Sequence, residues 1–232
     1  MYILGNDASS HQLEYNPWKN KKAGMKFAIF RASYGEYVNH DKFFRDWYKK
    51  AYYSNYEYGV SAYHFLKPGH DFNKQMDWFQ KQMESVPRPN LAPLENMVFL
   101  DCEHDDEKDK SHISEFIQRA AEFVRKHITR KKYPGIYTSS GWWNEHVLAS
   151  DFWRSLPLWV AHWTLQEKPI LPRDWNNWHI WQFAVLKGQG KSYGWASEDI
   201  DINRMKIKEK KEVQLFMPII MKDTINLELY AY

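Results

Sequence analysis

Met97-Val98-Phe99-Leu100-Asp101-Cys102-Glu103 is an apolar run of strand type that ends in two carboxylates one residue apart and opens into His104-Asp105-Asp106-Glu107. Alternate side chains of a strand share a face, so Asp101 and Glu103 point the same way with their roots about 7 Å apart. Two acids held at a rigid strand end can move protons. Asp-x-Glu alone is a weak pattern, and an acidic loop that merely solvates the end of a buried strand has the same spelling. The surrounding chain decides between the two.

Upstream, Tyr2-Ile3-Leu4, Phe27 to Ala32 and Val60 to Phe65 read as strands, the first ending at Gly5-Asn6-Asp7. Lys19 to Lys26 is a basic connection without a pattern. Between the strands, Phe43, Phe44, Trp47, Tyr48, Ala51 and Tyr52 follow helical spacing over residues 41–53, with Gly59 as the stop. A second helix spans about 71–85 on Phe72, Met76, Phe79 and Met83, and Pro87, Pro89 and Pro93 end it.

Downstream, Ser111 is placed to cap a helix carrying Ile113, Phe116, Ile117, Ala120, Phe123 and Val124 on one stripe. Gly135 to Thr138 is a strand, and a helical segment follows over 141–149. After that the alternation stops. Leu158 to His162, His179 to Phe183 and Ile200 to Ile202 look like strands, but the segments between them are rich in Pro, Gly, Trp and Asn.

Strand–helix alternation predicts an α/β protein with a parallel sheet, and eight strands predict closure into a barrel whose last helices are missing. The site then lies where the strand C-termini gather, bringing together Asp7, Tyr63, Asp101, Glu103, Tyr137, Trp159, Gln182 and Asp201. Residues 1–205 form this unit. Residues 206–232 read as a basic linker, Lys206 to Lys211, and a β-like tail packed on the barrel, in which Ile225 to Tyr230 alternate.

Composition narrows the partners. Aromatics make up 17% of the 232 residues, with Trp 12 and Tyr 15, enough to line a sugar cleft as well as fill a core. Basic and acidic residues nearly balance, 32 against 29, which leaves no nucleic-acid footprint. The single Cys102 excludes an intramolecular disulfide. No signal-peptide pattern opens the chain at Met1, and no apolar stretch approaches the roughly 20 residues that cross a bilayer. Glu103, His104, Asp105 and Asp106 could suggest a divalent cation, but the Gly-punctuated loop of a calcium site is missing. Neither a metal nor an organic cofactor is expected.

Seven fragments in order carry a resemblance: Asp7-Ala8-Ser9-Ser10-His11-Gln12, Tyr63-His64-Phe65, Leu100-Asp101-Cys102-Glu103, Ile136-Tyr137-Thr138, Leu158-Trp159-Val160-Ala161, Trp181-Gln182-Phe183 and Asp201-Ile202-Asn203. Over about residues 2–204 the chain resembles glycoside hydrolase family 25, the lysozymes that act as N-acetylmuramidases in bacteria, fungi and phages. The resemblance implies an irregular TIM-like (β/α)5(β)3 barrel. It implies hydrolysis of the β-1,4 bond between N-acetylmuramic acid and N-acetylglucosamine in peptidoglycan glycan strands, performed by a monomer at the bacterial cell wall. With no leader visible, the protein is either cytoplasmic before release, as phage endolysins are, or secreted with its leader removed.

Carried over by position, the resemblance makes Glu103 the general acid and Asp101 its strand partner, with Asp7 and Asp201 completing the acidic cluster; Tyr63, Tyr137, Trp159 and Gln182, from the other strand ends, are the candidates for substrate contact, Tyr63 either lining the site or packing. A glycosidic oxygen leaves only when protonated, and neighbouring anions keep an acid protonated near neutral pH. We favour a substrate-assisted route in which Asp101 orients the 2-acetamido group, with Asp7 or Asp201 open as nucleophile or base. Among Trp159, Trp163 and Trp181, Trp159 is ranked first for the cleft.

The sequence departs from the family pattern at Asn6, Ala8, Cys102 and Ser197-Glu198-Asp199, so that Asp199 competes with Asp201. Cys102 is expected to face away from the cleft as a small hydrophobe, and His64 to be structural. Two other functions compete: a carbohydrate-binding barrel without catalysis, and a hydrolase of another amino-sugar polymer such as chitin.

Overall fold

The computed structural model describes residues 1–38, 40–88, 94, 97–104, 106–129 and 132–207. Eight strands close into one barrel in sequence order: β1 (Tyr2–Ala8), β2 (Phe27–Tyr34), β3 (Val60–Phe65), β4 (Val98–Asp101), β5 (Gly135–Ser139), β6 (Leu158–Ala161), β7 (Ile180–Leu186) and β8 (Ile200–Lys206). Helices α1 (Pro17–Lys22), α2 (Phe44–Tyr53), α3 (Phe72–Glu84), α4 (Lys110–Phe123) and α5 (Ser140–His146) each follow one of the first five strands or precede the next, and a single turn, α6 (Asp151–Arg154), precedes β6. The expected barrel of five β/α units followed by three strands is the one observed.

Side-chain alternation divides the protein into two apolar layers. Phe27, Ile29, Tyr63, Phe99, Tyr137, Trp159, Ile180 and Met205 point inward and fill the barrel. Their sequence neighbours Ala28, Phe30, Ala62, Leu100, Ile136, Val160 and Ile202 point outward and pack with Trp47, Phe79, Ile117 and Trp143 of the helices. The inner layer is tight enough to require glycine at two strand positions, one within β1 and one at the start of β5. A Cβ on Gly5 would lie 2.5 Å from the Phe27 ring, and one on Gly135 would lie 2.4 Å from that of Phe99.

Several elements differ from the expectation. The basic connection contains α1, opened by Pro17 at its first turn and by the Asn16 side chain, which accepts from Lys19 N at 3.0 Å. It has no apolar stripe because it is only six residues long. The cap of α4 is Asp109, accepting from Ser111 N at 2.8 Å, so Ser111 lies inside the helix. Ser54 closes α2, while Gly59, at φ +86°, turns the chain into β3. Pro89, Pro93, Asp105 and residues 208–232 lie outside the described residues, and so does the proposed tail beyond β8.

The sheet is not wholly parallel. β8 runs antiparallel to both β7 and β1. Residues 187–199 hold a tight turn at Gly190–Tyr193 and return the chain antiparallel, whereas the longer 162–179 connection, also without a helix, crosses over and keeps β7 parallel to β6. β8 places Asp201 directly across from Asp7.

Asn6 lies on the outward face of β1 between Ala28 and Ile202, fully buried, with neither side-chain atom hydrogen bonded. An unpaired buried amide costs about 1–3 kcal/mol. Asn6→Val is therefore expected to raise Tm with activity retained, and a fall in Tm on thermal denaturation would refute this account.

Candidate active site

The barrel delivers its acids to one end, the C-terminal end of the parallel strands. Asp7 ends β1, Asp101 ends β4, Glu103 stands two residues past β4, and Asp201 comes from the start of β8. Asp7 and Asp101 are buried, Asp201 is half-buried and Glu103 is exposed at the mouth. The cluster thus grades from floor to solvent.

A chain of hydrogen bonds fixes the floor. Asp7 Oδ2 accepts from Gln182 Nε2 at 3.0 Å and from Asn203 Nδ2 at 2.6 Å. Gln182 Oε1 in turn accepts from Tyr137 O–H at 3.0 Å and from Trp163 Nε1 at 3.2 Å. Asn203 Oδ1 accepts from Trp159 Nε1 at 2.8 Å. Each amide therefore has one orientation, and the Asp7 carboxylate is locked. Asp101 is different: its Oδ1 is buried and has no hydrogen-bond partner.

Burial and mutual repulsion push the carboxylates upward in pKa. Burial raises Asp7 despite the opposing hydrogen bonds from Asn203 and Gln182. Burial raises Asp101 well above the carboxylate range, Glu103 and Asp7 add to this, and Arg31 opposes it. Asp201 is pushed up to about 8 by burial, then by Asp7, Glu103 and Asp199. The cluster therefore retains protons near neutral pH.

Unfolded Asp201 titrates near 3.8 and the folded residue near about 8, so between these values the native state holds the extra proton and stability falls as pH rises. Asp201→Asn is expected to raise Tm at pH 8 by a few degrees and to change it little at pH 4. Melting curves at the two pH values check this, and an equal shift at both would refute it.

Burial sorts the aromatic and amide candidates. Trp159, ranked first as a sugar platform, is only 1% exposed; it packs edge-on against Tyr63, Phe99 and Tyr137 and supports the floor. Trp163 is 64% exposed and stands above Gln182, so among these tryptophans it is the one open to a ligand. Tyr63, Tyr137 and Gln182 are likewise buried and lie beneath the acids. Trp181 faces outward, its Nε1 donating to His162 O at 2.7 Å.

Asp199 is exposed and accepts from Gly188 N at 3.0 Å, which holds a loop and leaves Asp201 as the cluster acid. Cys102 lies in the outer layer, its thiol held protonated by burial and by Asp101 and Glu103. His64 is bound to Ser33 Oγ at 2.7 Å, stacked on Phe79 and pushed down to about 3 by burial, so it is neutral and structural.

Three groups escaped the sequence reading. Arg31 points into the barrel from β2, donating through Nε to Asp41 Oδ1 at 2.9 Å and through NH2 to Ser10 Oγ at 3.1 Å. Burial works against its charge, but Tyr63, Asp41 and Asp101 outweigh this. A charged residue inside the otherwise apolar run of β2 was the available signal. Asn203 shares a face with Asp201, so strand alternation pointed to it. Tyr34, stacked on Phe65 at 4.7 Å, ends β2 and has no motif of its own.

Among the described residues, no group of three or more His, Cys, Asp and Glu side chains is arranged to hold a metal ion. No described helix is long and apolar enough to cross a membrane. What the site offers is proton chemistry: several acids of graded exposure over an oriented amide and aromatic floor.

The chain is similar to known proteins in sequence and in structure. The chain is 28% identical over 220 residues to lysozyme M1 of Streptomyces globisporus, covering 87% of this chain and 67% of that protein. It is 27% identical over 205 residues to the N,O-diacetylmuramidase of Chalaropsis sp, covering 86% and 96%. The bacterial lysozyme from Streptomyces coelicolor superposes with a TM-score of 0.75 at 26% identity, over 89% of this chain and 93% of the other. The profile of the glycosyl hydrolases of family 25 matches residues 6–189, and the chain belongs to that family.

Proposed function

We propose that this glycoside hydrolase is an N-acetylmuramidase, cleaving the β-1,4 bond between N-acetylmuramic acid and N-acetylglucosamine in peptidoglycan. The observation that carries this reading is the convergence of Glu103, Asp101, Asp7 and Asp201 at one barrel mouth, in a family whose relatives include a lysozyme and an N,O-diacetylmuramidase.

Glu103, at the solvent edge, is the general acid. It gives its proton to the glycosidic oxygen as the bond to the anomeric carbon breaks. The carbonyl oxygen of the 2-acetamido group attacks that carbon from the opposite face, forming an oxazolinium ion. Asp101, with its open buried Oδ1, accepts the acetamide N–H, and in its ionised form, which Arg31 favours against burial, it stabilises the positive charge. Water then opens the ring, with the Glu103 carboxylate as base, which regenerates the acid and retains configuration. The four carboxylates repel one another, so they do not all ionise together near neutral pH and the cluster holds a proton to give, and Trp163, exposed above Gln182, offers an aromatic surface on the β7 side.

Turbidity clearing of bacterial walls, compared with product release from chitin oligomers, tests the substrate. Clearing with new reducing ends at muramic acid is expected. Cleavage of chitin alone would assign another amino-sugar polymer, and inertness on both would reject the enzyme.

A further inference from the structure

Away from the barrel mouth, a groove of about 500 Å³ runs between α1 and α2 on the outer face of the helical layer. Trp18 and Tyr53 both line it, 68% and 74% exposed. Two large exposed aromatics on one groove make a shared apolar surface of the kind that marks interaction sites, and these two are held in place. Lys21 Nζ donates to Ser54 O and, at 2.9 Å, to Asn55 O, tying α1 to the end of α2, and lies 5.3 Å over the Trp18 ring. Pro17 and the Asn16 cap fix the start of α1, and Tyr52 meets Tyr53 edge-on at 5.1 Å.

The charge around the rings has one sign in excess. Asp46 is matched by Lys50 at 2.7 Å, whereas Lys49 on the groove wall and Lys19 and Lys22 beside it on α1 are exposed. Exposed rings offer their faces to the apolar side of a pyranose, and the lysines suit carboxylates spaced along the same polymer.

We propose that this groove is a second binding site for a peptidoglycan strand. It holds the polymer through Trp18 and Tyr53 while the barrel mouth works on another segment or another strand. The inference rests on the muramidase reading, because it names the same polymer. Its consequence is retention on an insoluble wall: two sites on one body raise the effective concentration of each for the network.

The experiment combines Trp18→Ala with Tyr53→Ala in the full chain. Co-sedimentation with purified insoluble peptidoglycan is measured in the Glu103→Gln background to prevent digestion, and turnover of a short soluble muropeptide is measured with Glu103 intact. The expected result is about a tenfold loss of retention with soluble turnover within twofold of wild type, and recovery of most retention by Trp18→Phe with Tyr53→Phe. Undiminished retention, in a protein that still clears walls, overturns the groove and leaves the hydrolase standing. Failure of the wild-type protein to cleave any wall overturns the hydrolase, and the groove falls with it. Loss of retention confined to walls bearing teichoic acid assigns the groove to that polymer and overturns the proposal.

Discussion

Glu103→Gln is expected to lower wall hydrolysis by about a thousandfold or more, the upper part of the range for removal of a general acid. The substitution keeps the size and hydrogen-bonding reach of the side chain and deletes its proton. Glu103 is exposed, outside β4 and outside both apolar layers, so Tm and binding to walls are expected to stay near wild type. Its loss also removes one repulsive charge from Asp101 and from Asp201, where it acts alongside burial. The variant is therefore expected to melt slightly higher at alkaline pH. Clearing assays and thermal melts check both parts, and near-wild-type lysis would remove Glu103 from the role of acid.

The second large effect is expected at Asp101. Asp101→Asn presents an N–H or a weaker acceptor where the mechanism needs an anion beside the acetamide, and kcat is expected to fall about a hundredfold to a thousandfold with KM little changed. Two further readings separate orientation of the acetamide from a structural role. A stable cyclic analogue of the oxazolinium ion should bind wild type tightly and the variant weakly, and a substrate lacking the N-acetyl group should resist both. Proton NMR of the first-formed product should show retained configuration. Inversion would replace the acetamide by a water activated directly by Asp7 or Asp201.

Much of this site was legible because strands advertise their ends. The runs ending at Asp7, Asp101 and Tyr137 are apolar and short, and in an α/β barrel their C-termini converge, so acids from distant parts of the chain could be brought together from the sequence. Period-two alternation also separated Cys102 from its neighbours. Burial depth was harder. Trp159 and Trp163 are four residues apart and chemically identical, but β6 ends at Ala161, so the first is trapped in the barrel and the second stands above it. No local pattern distinguishes them.

The direction of β8 was hidden for a related reason. A strand's spelling has no sense of direction, and connections without a helix precede both β7, which is parallel to β6, and β8, which is antiparallel to β7, so the reversal has no local sign. The pairing of Arg31 with Asp41 depends on a loop that folds back over the end of β2, and neither residue belongs to a recognisable motif.

The closure of the barrel by β8 has a consequence for how the enzyme is made. Asp7 belongs to the first strand and Asp201 to the last, and they become neighbours only when the two ends of the barrel sequence pair. The same pairing brings Asn203 to Asp7. On the ribosome, residues 1–199 can emerge and form seven strands while the acid cluster is still one carboxylate short. A chain that has not yet paired β8 with β1 lacks both Asp201 and the Asn203 bond to Asp7, so the complete acid cluster forms only when the ring has closed.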